Sequence, residues 1–291
     1  MTDGLAVVDK PPGWTSHDVV ARLRSTLGER RIGHAGTLDP DATGLLLVGV
    51  GRVTRLLRFL TGLTKTYTGE VVLGTETSTL DASGDVVATH DMSGVGLDAV
   101  RAAAAGLVGA IEQVPPMVSA VKVRGRRLHE LARAGIEVER DPRPVVVYRL
   151  EVSPTVDPQV FAVEVACSAG TYVRVLAADL GAALGGGAHL RSLRRTAVGS
   201  FGEDDAVAVD AVSAGGLLPP SAAVRDYPSA VVSDELVVAA IGHGKVLESD
   251  LLGVDGAGPW GVLDEAGRLL AVYEPYRDGT VKPAVVIRGG R

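Results

Sequence analysis

Cysteine is almost missing from this chain of 291 residues. Cys167 stands alone, which excludes an internal disulfide and any zinc cluster built on cysteine. Histidine is sparse too: the six, at 17, 34, 90, 129, 189 and 243, are scattered with no pair at HExxH spacing, so no metal cofactor is expected. Long apolar runs are lacking. Even the Ala-rich stretch 95–111 is broken by Asp98 and Arg101 and falls short of the roughly eighteen residues that a membrane span needs. The start, Met1-Thr2-Asp3-Gly4, has neither the basic residues nor the apolar core of a secretory signal, so no membrane partner and a cytoplasmic location are expected. There is no Walker A sequence, and Gly185-Gly186-Gly187 follows a helical pattern instead of opening one. That argues against a kinase or a dehydrogenase and for no small-molecule cofactor.

What is present supports a folded globular protein of one large domain or two smaller ones, since 46% of the residues are apolar. The net charge of −6 is unevenly spread. Residues 1–199 carry 22 Lys and Arg against 21 Asp and Glu, a net of +1, whereas residues 200–291 carry 7 against 14, a net of −7. Basic clusters at Arg30-Arg31, Arg52/Arg55/Arg58, Lys122/Arg124/Arg126/Arg127 and Arg191/Arg194/Arg195 therefore stand against a neutral background, where they offer local positive potential to phosphate or read as solvated faces.

Strand patterns cover 5–8, 45–48, 65–73, 145–152 and 160–166. One helix is read from Ser16 as N-cap, through Val20, Leu23 and Leu27, to Gly28. Others fit 52–60, 97–107 and 171–184. Strands without regular crossover helices predict an α/β protein of the α+β type, with a mixed, largely antiparallel central sheet flanked by helices. A boundary is expected near Leu217-Leu218-Pro219-Pro220, giving domains 1–224 and 225–291, the second small, acidic and β-rich.

The segment from Gly33 to Val48, GHAGTLDPDATGLLLV, carries the most information. Gly33 and Gly36 open backbone conformations closed to other residues, and Pro40 restricts Asp39 to an extended geometry. The run Leu45-Leu46-Leu47-Val48 reads as a core strand, so the loop is mounted on the rigid interior. Asp39 is thus a plausible catalytic carboxylate, although an Asp before Pro is by itself more often an Asx-turn residue.

This segment resembles the signature loop of the TruB family of tRNA pseudouridine synthases. Further segments resemble the same family in order along the first 200 residues: Asp9-Lys10-Pro11-Pro12-Gly13-Trp14-Thr15-Ser16; Lys65-Thr66-Tyr67 with Gly69; Cys167-Ser168-Ala169-Gly170-Thr171-Tyr172-Val173-Arg174 with Leu180-Gly181; and Leu190-Arg191-Ser192-Leu193-Arg194-Arg195. Residues from Val114 through Gly135 resemble the family's RNA-clamping insertion, taken as about 115–143. His129 departs from the family's usual tyrosine there. The C-terminal part resembles a PUA domain weakly, and its acidity argues against a strong tRNA contact.

The resemblance implies isomerisation of a T-loop uridine of tRNA, at the family's position 55, by base flipping, without cofactor or metal, in a monomer. It implies Asp39 as the essential carboxylate, acting as nucleophile at C1′ or as base toward a ribose proton. Tyr67 would lie against the target base, Tyr172 would line the pocket, Arg174 would pair with Asp39 and Leu193 would form an apolar wall, with the arginines around it near the substrate backbone. His34 would fill the gap left by the flipped base, and Lys10, grouped with the substrate-binding residues, belongs to a motif that packs beneath the site. On spacing alone, Arg174 reads as a helix-surface residue and Lys10 as an ion-pairing or surface lysine. Two other readings are a non-catalytic tRNA-folding protein and a guide-RNA-dependent synthase of the same superfamily.

Overall fold

The structure, a computed structural model, describes residues 2–119, 121–123 and 125–287. Arg124 and the side chains of Lys122, Val123, Arg127, His129 and Arg133 lie outside the described residues, and with them much of the basic stretch of the insertion and the His129 departure.

The chain opens with β1 (Gly4–Lys10), α1 (Ser16–Leu27), β2 (Ile32–Ala35) and β3 (Thr43–Val50), then a 3-10 turn (Gly51–Leu56) leading into α2 (Leu57–Thr61) and β4 (Lys65–Leu73). A hairpin of β5 (Thr75–Thr77) and β6 (Val86–Thr89) precedes α3 (Leu97–Ala105) and β7 (Gly109–Gln113). The insertion holds β8 (Lys122–Val123), β9 (Arg126–Arg127) and α4 (Leu128–Arg133). The main body is completed by β10 (Arg143–Pro154), β11 (Val160–Cys167), α5 (Val173–Ala183), β12 (Ala188–Val198) and β13 (Val207–Ala208).

Nine strands form one sheet in the order β13-β1-β3-β12-β4-β11-β10-β7, with β2 also on β3. Only the β1–β13 and β3–β12 pairs are parallel, which matches the mixed, largely antiparallel sheet predicted from the lack of crossover helices. β3 is buried on both faces: Leu45 and Leu47 pack with Phe59 and Leu60, while Leu46 and Val48 pack with Val19 and Val20 of α1. Burial of alternate residues in two cores explains its uninterrupted apolar run. One edge of β3 is taken by β1. The other is divided, with β2 on Leu47–Val50 and β12 on Thr43 and Gly44. The Asp39 loop sits at this fork.

Several element limits differ from the sequence reading. The cap of α1 is Thr15, whose side chain accepts from the Asp18 N–H while Asp18 accepts from the Thr15 N–H. This reciprocal box closes the first turn and releases Ser16, the expected cap, for another task. The helix expected over 52–60 is a 3-10 turn followed by the short α2. β12, central in the sheet, escaped sequence analysis because bulges at Leu190/Ser192 and Arg195/Ala197 break its alternation.

The second sheet runs β14 (Ser229–Val232), with α6 (Glu235–Gly242), β15 (Leu247–Glu248), α7 (Ser249–Leu252), β16 (Trp260–Asp264), β17 (Leu269–Pro275) and β18 (Thr280–Val286), in the order β14-β16-β17-β18-β15. It is β-rich as expected. Its core is not separate from the first: Leu269, Val272 and Val285 share a cluster with Leu45, Phe59 and Leu60, and the Tyr227 hydroxyl donates to the Phe59 carbonyl at 2.7 Å. Among the described residues no helix is long and apolar enough to cross a membrane.

Where β12 crosses the start of β3, Gly44 adopts φ +96° and a Cβ there would lie 2.2 Å from the Arg195 carbonyl oxygen. Gly44→Ala therefore forces backbone apart at the fork. A loss of about 2 kcal/mol or more in unfolding free energy is expected from urea denaturation.

Candidate active site

The loop between β2 and β3 is held by its backbone at alternate residues. Arg195 donates from Nη2 to the Gly36 carbonyl at 3.0 Å and from Nε to the Leu45 carbonyl at 2.6 Å, filling the unpaired stretch at the fork. The Ser16 hydroxyl accepts from the Leu38 N–H at 3.0 Å and lies 3.3 Å from the Leu38 carbonyl oxygen, to which it donates. The Lys10 ammonium donates to the carbonyls of Pro40, Trp14 and Pro11 at 2.8, 2.6 and 3.0 Å. Gly36, at φ +78°, makes the turn that other residues resist. Gly33 does not: it lies within β2, and its lack of a side chain instead admits Leu57, whose Cδ1 would lie 3.0 Å from an added Cβ. Held at Gly36, Leu38 and Pro40, the loop leaves the Asp39 side chain as its free projection.

Asp39 opens into a cleft of about 250 Å³ lined by Leu38, Tyr67, Tyr172, Arg174, Leu193 and Arg195 among others. Its side chain is 44% exposed, whereas that of Arg174 beside it is only 4% exposed. The Arg174 Nη2 lies 3.2 Å from Asp39 Oδ2, and Nη1 lies 3.3 Å from Asp81 Oδ2. One buried guanidinium thus serves two carboxylates. Its Nη2 also donates to the Val118 carbonyl at 2.6 Å. Burial raises the Asp39 carboxyl above its ordinary value, Arg174 works against that, and Asp81 adds to the rise. Burial and charge thus act on this carboxyl in opposite directions.

Asp81 was not found by sequence analysis. It belongs to the turn Thr79-Leu80-Asp81-Ala82-Ser83, where Oδ1 accepts from the Thr79 and Ser83 hydroxyls and the Ser83 N–H; such an Asx pattern reads as plain turn chemistry. Gln113 was also missed. Buried at the end of β7, its amide accepts from the Tyr172 N–H at 2.9 Å and donates to the Tyr172 carbonyl at 3.3 Å, setting the entry to α5.

The remaining predicted residues divide. Tyr67, on β4, is buried against the cleft, and burial raises its phenol above the ordinary range. Tyr172 and Leu193 line the same space, Tyr172 with its ring 5.9 Å from the Arg174 Cζ. Arg174 is no surface residue. Lys10 is corrected: it is wholly buried and bonded to three carbonyls, so it reaches no substrate and supports the loop from beneath, and burial takes its ammonium down to about 8. The arginines of β12 divide as well. Arg195 is buried, whereas Arg191, paired with Glu70, and Arg194, paired with Asp9 and Glu203, keep partly exposed side chains next to the Asp39 loop.

Comparison with known proteins agrees with the sequence resemblance. Residues 24–173 match the TruB family pseudouridylate synthase N-terminal domain, and residues 174–218 match the tRNA pseudouridylate synthase B C-terminal domain. The chain belongs to the TruB family. Proteins named tRNA pseudouridine synthase B are similar over essentially the full length: one of Thermobifida fusca is 43% identical, covering 99% of this chain and 100% of that protein, and one of Geobacillus thermodenitrificans is 42% identical, covering 98% and 100%. Among solved structures, a crystal structure of a Cbf5-Nop10-Gar1 complex matches with TM-score 0.72 and 29% identity, over 93% of this chain and 78% of that one.

His34, singled out by the family resemblance, lies on β2 opposite Val48 and is partly buried. Its ring meets that of His17 edge to face, with centroids 5.3 Å apart. Burial takes the imidazole down to about 4, helped by His17 and Arg195. Between about pH 6.5 and 4 the unfolded chain binds this proton and the folded chain does not, so stability contributed by neutral His34 is lost as pH falls through that window. Imidazole NMR is expected to show a midpoint near 4, and His34→Asn to flatten the fall in unfolding free energy over the same range.

Proposed function

We propose that this chain isomerises a uridine in the T-loop of tRNA, at the family's position 55, to pseudouridine. The N1–C1′ bond breaks, the uracil turns within the cleft, C5 joins C1′, and the hydrogen on C5 leaves as a proton while N1 gains one. Neither redox change nor group donor enters this balance. The observation that carries the reading is Asp39, fixed by its backbone yet open to the cleft and paired with a buried Arg174, with Tyr67 and Tyr172 around the same space. A base inside folded RNA must leave its stack to enter such a cleft, and an aromatic face recovers roughly 1–3 kcal/mol of the stacking lost. Ionised Asp39 acts on the ribose, by attack at C1′ or by removal of a sugar proton toward a glycal; both routes need the charged form.

In this reading residues 1–224 form the catalytic domain, with about 115–143 as the clamp on the T-arm, and 225–291 form a PUA-like domain, in a cytoplasmic monomer. Full-length likeness of 42–43% to proteins named tRNA pseudouridine synthase B, against 29% to the Cbf5 complex, supports stand-alone action over dependence on a guide RNA. The carboxylate presented to the cleft supports an enzyme over a tRNA-folding protein, which has no need of one.

Tritium release from tRNA labelled at uracil C5 tests the proposal, because the product has the mass of the substrate. The wild type is expected to release tritium, and Asp39→Asn to lose about 10³-fold or more in rate while still binding tRNA. Binding without release in the wild type would leave the RNA-folding reading in its place. His34→Ala is expected to slow release from folded tRNA more than from a loosely structured stem-loop, and equal losses would remove His34 from base flipping.

A further inference from the structure

The stretch that leaves β7 and begins the insertion does more than connect. Gln113 grips the Tyr172 backbone with both ends of its amide. Five residues later the Val118 carbonyl accepts from Arg174 Nη2 at 2.6 Å, closer than either carboxylate comes to that guanidinium. Between them Pro115 and Pro116 are buried and restrict the backbone. Arg140, from the other end of the insertion, donates through Nη1 to the Pro115 carbonyl at 3.1 Å. The two ends of the insertion are thereby clasped beside the cleft, with Ser119 in its wall and Val118 in an adjoining hollow that shares Asp39, Arg174 and Leu193 with it.

Arg174 Nη2 carries two hydrogens. One is directed to Val118 and the other to Asp39, at 3.2 to 3.4 Å. A guanidinium is a planar, rigid fork, so the neutral acceptor at short range sets its plane, and the plane sets how closely the charge approaches each carboxylate. We infer that the Val118 carbonyl is a positioning group for Arg174, so that the seating of the insertion governs the ionisation of Asp39 as well as the grip on RNA. This rests on Asp39 acting in its charged form, as proposed above. Four charged groups act on Asp39: Arg174 of α5, Asp81 of the turn after β5, Lys10 of β1, and Asp41 of its own loop. Of these four, Arg174 is the one that the Val118 carbonyl bonds. With the root of the insertion loosened, the guanidinium is free to turn toward Asp81, and Asp39 takes up a proton more readily.

The test is single-turnover tritium release from a saturating T-arm stem-loop RNA labelled at uracil C5, measured from about pH 5 to about pH 8. Arg140→Ala and Pro116→Gly loosen the root without touching Arg174, Asp39 or the Val118 side chain. Each is expected to move the acid limb of the rate profile upward by about one pH unit, giving a loss of up to about tenfold on the acid side that shrinks toward alkaline pH. An amide-to-ester replacement between Val118 and Ser119 weakens the Val118 carbonyl as an acceptor and leaves every side chain in place; it is expected to move the limb in the same direction and decides the matter if the two variants unfold. An unmoved limb with a loss equal at every pH, or a change in RNA affinity alone, overturns the inference. No release by the wild type at any pH would instead overturn the proposed function, so the two failures are distinct.

Discussion

Everything at this site depends on buried cations bonded to backbone carbonyls. Arg195 and Lys10 are among the largest fully buried side chains of the molecule, and burying a charge is costly unless its hydrogen bonds are replaced. Here carbonyls replace them, at Gly36 and Leu45 for Arg195 and at Pro11, Trp14 and Pro40 for Lys10. Lys65 follows the same pattern, donating to the carbonyls of Thr61 and Leu63 beneath the cleft. Because these bonds go to the backbone, the loop is fixed in place and its carboxylate is left for Arg174.

That division shapes the electrostatics. Had Lys10 or Arg195 paired directly with Asp39, the carboxylate would be tightly neutralised and withdrawn from the cleft. Instead its partner is a guanidinium already shared with Asp81 and the Val118 carbonyl, at distances longer than a close bidentate pair. Burial raises the Asp39 carboxyl, Arg174 only partly offsets the rise and Asp81 adds to it. A pair of this kind adds little to stability. Its value lies in the position and charge state of one oxygen.

The surface arginines are more committed than their clustering implies. Arg52 pairs with Asp3, Arg58 with Glu274 and Arg194 with Asp9 and Glu203, while Arg55 donates to the Val286 carbonyl. Two of these contacts, from Arg55 in the 3-10 turn and Arg58 in α2, tie the second sheet to the helical segment after β3, beside their shared apolar core. Part of the C-terminal acidity is therefore structural: Glu274 completes an interface, and Asp226 accepts from the Ser200 N–H and hydroxyl.

Local sequence determined a good deal. The run Leu45-Leu46-Leu47-Val48 dictates a strand buried on both faces, Gly36 dictates the turn before Asp39, and the ordered family segments identify Asp39, Tyr67, Tyr172, Arg174 and Leu193 as one set, which the fold brings to one cleft. Tertiary structure decided the rest. Thr15 rather than Ser16 caps α1 because the Ser16 hydroxyl lies against Leu38, 22 residues on. β12 is central although its bulges hide its period, and Asp81 joins Arg174 across 93 residues of chain. Whether a lysine or arginine reaches solvent, a carbonyl or a carboxylate depends on which backbone groups the sheet leaves unpaired, as at the fork of β3. Residue type sets the charge, and only the folded chain sets its partner.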